Sequence, residues 1–160
     1  HYSPFNHTFI SMHVKAPLFV ASQLVKHEYM PWNEVSRRYV DTDLEFYFPE
    51  TWRKRPPGSV KQGSGEDLLL DWDVEPYVME SIRAYDKLLE SGVAPEMARM
   101  VLPQNMYTEW YWSGTLGAWA KMYNLRAEDS AQKETQEIAR QAGEILEPLF
   151  PHSWRALIEK

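Results

Sequence analysis

A chain of 160 residues, 44% hydrophobic and with seven Trp, nine Tyr and six Phe, can fold as one domain burying about two thirds of its unfolded surface, which excludes a long disordered region. The net charge of -6 argues against a general nucleic-acid binder, and the apolar runs fall short of the roughly 20 residues of a membrane span, so neither nucleic acid nor a membrane is expected as partner. The absence of cysteine removes disulfides, thiolate metal sites and Cys nucleophiles, and a reducing cytoplasm is the simplest compartment.

Residues 1–7 form a polar lead-in around Pro4. From Thr8 the chain alternates, with Thr8, Ile10, Met12 and Val14 against Phe9, Ser11, His13 and Lys15, the period of a strand with one buried face. Pro17 suits the first turn of a helix, which 18–25 continues for about two turns. A polar stretch at 23–39 starts on that helix's last turn. Pro31 forces an irregular passage, so 28–38 is expected as a loop pinned to the core by Met30 and Trp32. A short aromatic strand is expected at 44–48. Residues 49–65 read as loop, with Arg53, Lys54, Arg55 and Lys61 near the run Lys61-Gln62-Gly63-Ser64-Gly65. That run lacks the strand–loop–helix setting and Gly-Lys-Ser/Thr ending of a phosphate loop, so a plain surface segment is the simpler reading.

Helix is predicted over 74–91, with Val78, Ile82, Tyr85 and Leu89 on one face and a stop at Gly92. A second is predicted over 96–102 between Pro95 and Pro103, and a third over 116–123 after an aromatic segment at 106–113. Ser130 is placed as the cap of a long helix with Ala131, Ile138, Ala142 and Ile145 as its buried stripe; Pro148 and Pro151 break it before a short helix at 153–159. A few strands and a majority of helix over 1–160 make an α+β layout in a single domain.

The stretch 23–39 crowds Lys26, His27, Glu28, Asn33, Glu34, Ser36, Arg37 and Arg38 between two apolar runs, which points to a site for an anionic ligand. Arg37 and Arg38 beside Ser36 suit a phosphate, because a planar guanidinium makes paired, charge-assisted bonds to its oxygens. Arg99 and Arg126 each interrupt an apolar neighbourhood and call for an acid or a phosphate as partner; a salt bridge and a ligand both meet that need. Ser36 has no nucleophile elbow or triad pattern around it, which disfavours hydrolase chemistry. His7 and His13 fall on opposite faces of the first strand, so no metal site is expected.

Asn33-Glu34-Val35-Ser36-Arg37-Arg38-Tyr39, preceded by Lys26-His27, resembles the signature of the flavin-dependent thymidylate synthases, Arg-His-Arg-x-x-Ser-x-Asn-x-x-Ser-x-Arg-Tyr. His27, Asn33, Ser36, Arg38 and Tyr39 match; Lys26, Glu28 and Pro31 depart. Further landmarks resemble the family in order: the start from His1 to Pro17, Glu45-Phe46-Tyr47, Ala98-Arg99-Met100-Val101-Leu102-Pro103, Asn124-Leu125-Arg126-Ala127 and Ala131-Gln132. The Lys-His variant, Arg37 and the 61–65 run are most similar to bacteriophage forms. The missing Met before His1 is read, with the resemblance, as the loss of an N-terminal portion.

The resemblance implies a small mixed or antiparallel sheet packed with long helices. It implies reductive methylation of dUMP to dTMP, with FAD as cofactor and methylenetetrahydrofolate and NADPH as co-substrates, a chemistry that needs no thiol. The implied setting is a homotetramer with shared active sites, in the cytoplasm of a bacterial or phage-infected cell. By position, Gln23, Glu34, Ser36, Arg37, Arg38, Arg99 and Arg126 would line the dUMP site. Arg38 and Arg99 would hold the phosphate, Ser36 would be a ligand, and Arg126 would polarise the pyrimidine, so Arg126, Ser36 and Arg38 form the implied catalytic set. Ser3, Lys26, His27, Glu28 and Glu34 would lie along FAD. Thr115, Gly117, Lys121 and Ser130 stand where the family more often has Asn, Arg, Asn and His. These changes leave open two relatives: a folate- and flavin-dependent pyrimidine hydroxymethylase and a non-catalytic nucleotide binder.

Overall fold

The computed structural model describes residues 1–36, 44–58 and 63–158. Its centre is β5 (Tyr107–Gly114), the middle strand of a three-stranded antiparallel sheet, with β1 (Ile10–Pro17) on one side and β2 (Trp32–Glu34) on the other. The register from Ile10↔Gly114 to Pro17↔Tyr107 puts Met12, Val14 and Ala16 opposite Trp112, Trp110 and Thr108, all buried on one face. The opposite face is polar: Ser11 and Ser113 share a 2.7 Å hydrogen bond, and His13 Nε2 lies 2.9 Å from Glu109. The alternation legible in β1 is thus the pleat of the sheet.

Helix α1 (Leu18–Leu24) follows β1 directly, with Pro17 as the last strand residue and the N-cap. Helices α4 (Leu116–Arg126), α5 (Lys133–Leu149) and α6 (Pro151–Ile158) complete the cover of the apolar sheet face. Thr115 caps α4 by accepting from Ala118 N–H. Trp110, Trp112, Trp119 and Trp154 are almost fully buried in this core; truncating such a Trp to Ala costs about 3–5 kcal/mol. A smaller core around Tyr85, Ala98, Leu102 and Met106 joins α2 (Glu75–Glu90) to α3 (Pro95–Ala98).

Several expectations need correction. Part of 28–38 is strand, not loop: β2 pairs with β5, and Trp32 stacks on Trp110 at 4.1 Å between ring centres. The strand expected at 44–48 is reduced to an isolated bridge, Phe46↔Met106. Within 49–65 a short strand forms, because β3 (Trp52–Arg53) pairs with β4 (Asp67–Leu68). The helix expected over 96–102 is the single turn of α3 followed by a 3-10 turn, Arg99–Val101. Helix α5 is capped at Gln132 and buries Thr135, Gln136, Ala139, Ala142, Gly143 and Leu146, leaving Ile145 exposed. Pro148 lies inside α5, and Pro151 opens α6. Helix α2 follows its predicted face, with Val78 and Tyr85 buried and Gly92 beyond its end at φ +84°.

Candidate active site

Two polar clefts lie at opposite ends of α1, bounded by Leu18 and by Gln23 respectively, and they share no lining residue. The first, about 490 Å³, brings together Glu34, Ser36, Arg99 and Thr108. Strand β2 delivers Glu34, whose Oε1 accepts from the buried Thr108 hydroxyl at 2.6 Å and whose Oε2 accepts from Trp32 Nε1 at 3.3 Å. Both carboxylate oxygens are held, so its position is set by the sheet. Arg99 donates from Nε to the Glu96 carbonyl at 3.2 Å, which leaves its two terminal nitrogens as the donors available to a ligand.

The second cleft, about 390 Å³, is lined by Gln23, Arg53, Gly63, Ser64, Arg126 and Gln132. Arg126, on the last turn of α4, donates from Nε to His27 Nε2 at 3.0 Å and from Nη2 to the Gln23 carbonyl at 3.4 Å. Burial lowers the Arg126 pKa; burial first, and then the Arg126 charge, push His27 down to about 4. His27 is therefore neutral near pH 7, with Nε2 as acceptor and its proton on Nδ1. Among the described residues neither Arg99 nor Arg126 has a carboxylate within salt-bridge distance.

A half-buried polar chain runs along the wall of the second cleft. Arg53 makes a two-pronged ion pair with Glu134, from Nη2 to Oε1 at 2.6 Å and to Oε2 at 2.8 Å, and its Nε donates to Ser64 Oγ at 2.7 Å. Burial alone would raise the Glu134 carboxyl, but hydrogen bonds from Arg53, its own backbone and Gln132 hold it below its usual value. Tyr47 also donates to Glu134, at 3.3 Å, and burial beside that carboxylate pushes the phenol up to about 12. Gln132 donates from Nε2 to Glu134 at 2.9 Å and accepts from Gln23. The run 61–65 is accordingly no plain surface segment where it is described. Gly63 has φ +89°, a Cβ there would come 2.9 Å from the Ser130 carbonyl, and Ser64 is tied to Arg53. A further cavity of about 460 Å³, walled by Phe19, Tyr47, Trp52 and Tyr77, adjoins this cleft through Arg53, Ser64 and Gln132.

The residues assigned to FAD fall at the far end of the sheet, except Glu34, which is in the first cleft. Lys26 and Glu28 are exposed on the turn after α1, which closes at Tyr29 with φ 60°, and the half-buried His27 ring lies 6.1 Å from Trp112. Ser3 is on a 3-10 turn, Ser3–Asn6, that packs against α4, with the Tyr2 hydroxyl donating to the Gly117 carbonyl. A Cβ at Gly117 would lie 2.8 Å from Asn6 Oδ1 and 2.9 Å from the Tyr2 oxygen, so these side chains take the room that a larger residue would need. The set fits a dinucleotide cofactor in kind: an ammonium and a hydroxyl for phosphate oxygens, and a neutral imidazole beside an aromatic wall. Glu28, and Glu34 in the first cleft, are the groups of opposing sign.

Arg37 and Arg38 lie outside the described residues, as do Tyr39, Lys61 and Gln62. The others divide between the clefts, Glu34, Ser36 and Arg99 in one and Gln23 and Arg126 in the other. Sequence reading gave no site role to Thr108, Arg53, Gln132, Glu134 or Thr135. The signal was present in the polar residues at 132, 134, 135 and 136, close together at the start of a helix whose partner surface was unknown. Among the described residues no group of three or more His, Cys, Asp or Glu could hold a metal ion, and no helix is long and apolar enough to cross a membrane.

The class that this fold and these clefts define is an α+β enzyme built on a three-stranded antiparallel sheet with arginine-bearing clefts at either end of one helix. The UMP/dUMP methylase PolB of Streptomyces cacaoi has the same fold. Its structure bound with 5-Br dUMP superposes with a TM-score of 0.86 at 26% identity, covering 98% of this chain and 74% of that one. The form bound with 5-Br UMP gives 0.83 at 24% identity, covering 99% and 77%. The model of the thymidylate synthase complementing protein family, Thy1, matches residues 1–152. A flavin-dependent thymidylate synthase of Kosmotoga olearia is 39% identical over 99% of this chain and 71% of its own length. One of Thermus thermophilus is 43% identical over 99% of this chain and 60% of its own length. The chain belongs to the flavin-dependent thymidylate synthase family, a family of methyltransferases.

Proposed function

We propose that the protein methylates dUMP to dTMP, with methylenetetrahydrofolate as carbon donor, NADPH as reductant and FAD as cofactor. The observation that carries this reading is the convergence of Glu34 and Ser36 with Arg99, 63 residues further along the chain from Ser36, on one cleft, while Gln23 and Arg126 meet on another. In this reading the first cleft takes the phosphate end of dUMP. Arg99 donates to phosphate oxygens, joined by Arg38 and Arg37, and Ser36 adds a ligand at the same end.

The second cleft takes the pyrimidine. Arg126 has donors left after its bonds to His27 and Gln23, and they meet a ring carbonyl, where negative charge grows as C5 becomes nucleophilic. A guanidinium already held by His27 needs no reorganisation when that charge appears. FAD, when bound, supplies the hydride and the one-carbon relay; Ser3, Lys26, His27 and Glu34 would hold it, with Glu28 nearby.

Two clefts without a common lining residue, each with part of one ligand's partners, support an assembly in which the cleft at β2 of one subunit faces the cleft at α4 of another. A homotetramer with shared active sites in the cytoplasm fits that requirement, and the Lys26-His27 form favours a bacteriophage source. The test is product analysis by mass with dUMP, methylenetetrahydrofolate, FAD and NADPH. A 5-methyl product is expected. A 5-hydroxymethyl product would make the protein a hydroxymethylase, and no dUMP-dependent oxidation of reduced flavin would make it a non-catalytic binder. In a direct binding assay, Arg99→Ala should weaken dUMP by about 1.5–3 kcal/mol, the range for a lost hydrogen bond to a charged group.

A further inference from the structure

We infer that the half-buried chain Arg53–Glu134–Gln132 fixes the rotamer sense of the Gln23 carboxamide, so that the site selects a pyrimidine with a protonated ring N3, uracil over cytosine. The inference rests on the reading of the second cleft as the pyrimidine pocket.

The argument starts at the charged end. An ionised carboxylate only accepts hydrogen bonds, and Glu134 is kept ionised by the Arg53 guanidinium, which binds both its oxygens. The Gln132 atom 2.9 Å from Glu134 Oε2 must then be its nitrogen, because an oxygen there would face a lone pair. That turns the Gln132 oxygen toward Gln23, which must answer with its own nitrogen. The second hydrogen of Gln23 Nε2 goes to the Phe19 carbonyl at 3.4 Å. Its Oε1 accepts from the hydroxyl of Thr135, a fully buried residue, also at 3.4 Å.

Both amide hydrogens of Gln23 are thus committed, and its remaining capacity is a lone pair on Oε1. An amide in an open pocket can turn over to suit a donor or an acceptor; this one is anchored against turning by a carboxylate two residues removed in the chain of bonds. Beside it Arg126, whose Nη2 touches the Gln23 backbone carbonyl, offers donors only. An acceptor next to a donor complements an N3–H next to a ring carbonyl, as in uracil. Cytosine presents an N3 lone pair to the Gln23 oxygen and an amino group to the guanidinium, so it mismatches twice. Unpaired buried polar groups of this kind reject an analogue strongly. Arg53, Glu134 and Gln132 are positioning residues in this account, acting through Gln23.

The test measures dissociation constants for dUMP and dCMP on the full chain in wild type, Glu134→Gln and Gln132→Met, with the thermal midpoint of each. Wild type should bind dUMP at least 100-fold more tightly than dCMP. Glu134→Gln lets the amide chain reverse and should cut that ratio at least tenfold. Because it also removes a charge from a half-buried ion pair, Gln132→Met is the second variant: it keeps the pair, leaves only the long Phe19 bond to hold the Gln23 nitrogen, and should cut the ratio similarly. A general loss of stability would lower both affinities together and leave the ratio intact. Wild type binding both nucleotides equally, or either folded variant keeping the wild-type ratio, overturns the inference while leaving the proposed activity standing. Wild type binding no dUMP overturns both.

Discussion

At the residue scale the most informative group is His27, which works here as a neutral hydrogen-bond acceptor. Its pKa in the folded chain is about 4, against 6.5 when unfolded, so below pH 6.5 the unfolded chain takes up a proton that the folded one refuses. Stability therefore falls as pH drops from 6.5 to about 4 and levels off below. The ring is only half-buried, and after allowance for solvent screening the loss is about 1–2 kcal/mol. Urea midpoints across pH 4–7 should show this slope in wild type and a flatter one in His27→Gln, after each is referred to its own pH 7 value; parallel slopes would place the titration elsewhere. Protonation of the folded chain also removes the acceptor for Arg126 Nε, so the His27-linked loss of dUMP affinity should appear only as pH falls through about 4, below most of the range in which stability is lost. A second prediction concerns Thr108, whose hydroxyl positions Glu34 from the buried side of the sheet. Thr108→Val keeps the shape and deletes that bond. It should weaken dUMP by about 0.5–1.5 kcal/mol in a calorimetric titration, and unchanged affinity would mean that Glu34 holds its place without it.

At the scale of elements, Gly143 governs how α5 sits on α4. A Cβ at this position would come 2.6 Å from the Tyr123 ring, which is itself packed edge-on against Trp154 at 5.3 Å. Neither ring can withdraw without disturbing the main core, so Gly143→Ala should destabilise by about 1–3 kcal/mol although alanine favours helix. Calorimetry should register a drop of about 2–4 °C per kcal/mol, and a raised midpoint would show that the helix pair can separate at little cost. The same contact explains what was hidden in the sequence. Helix α2 was legible because Val78, Ile82, Tyr85 and Leu89 repeat at helical spacing and Gly92 ends the run. The face of α5 was not, because its buried surface uses Thr135, Ala139 and Gly143, small residues whose burial depends on partners such as Gln23 of α1 and Tyr123 of α4, while the more apolar Ile145 is exposed. Strand β2 escaped notice for a related reason: three residues after a proline become a strand only because Trp32 finds Trp110 to stack on. The division of Glu34 and Ser36 from Gln23 and Arg126 was equally invisible, since residues within one short stretch are carried to opposite ends of α1 by the fold. The family signature nominates residues without saying which of them face the same space.

At the scale of the molecule, that division makes a prediction about assembly. If one dUMP is held by the β2 cleft of one subunit and the α4 cleft of another, Arg99→Ala and Arg126→Ala each disable every site in their own homo-oligomers, when assayed at dUMP too dilute to fill the weakened sites. A mixed pair carries both defects in one of its two sites and neither in the other. Co-expressing the two variants at equal levels gives half of the pairs mixed, and half of their sites intact, so about a quarter of wild-type activity should return. A site contained within one chain would return nothing, because every chain would keep a defect. The recovery should also rise and fall with the fraction of mixed pairs, which differently tagged chains make measurable. A linear dependence on that fraction separates a shared site from a general stabilisation of one variant by the other.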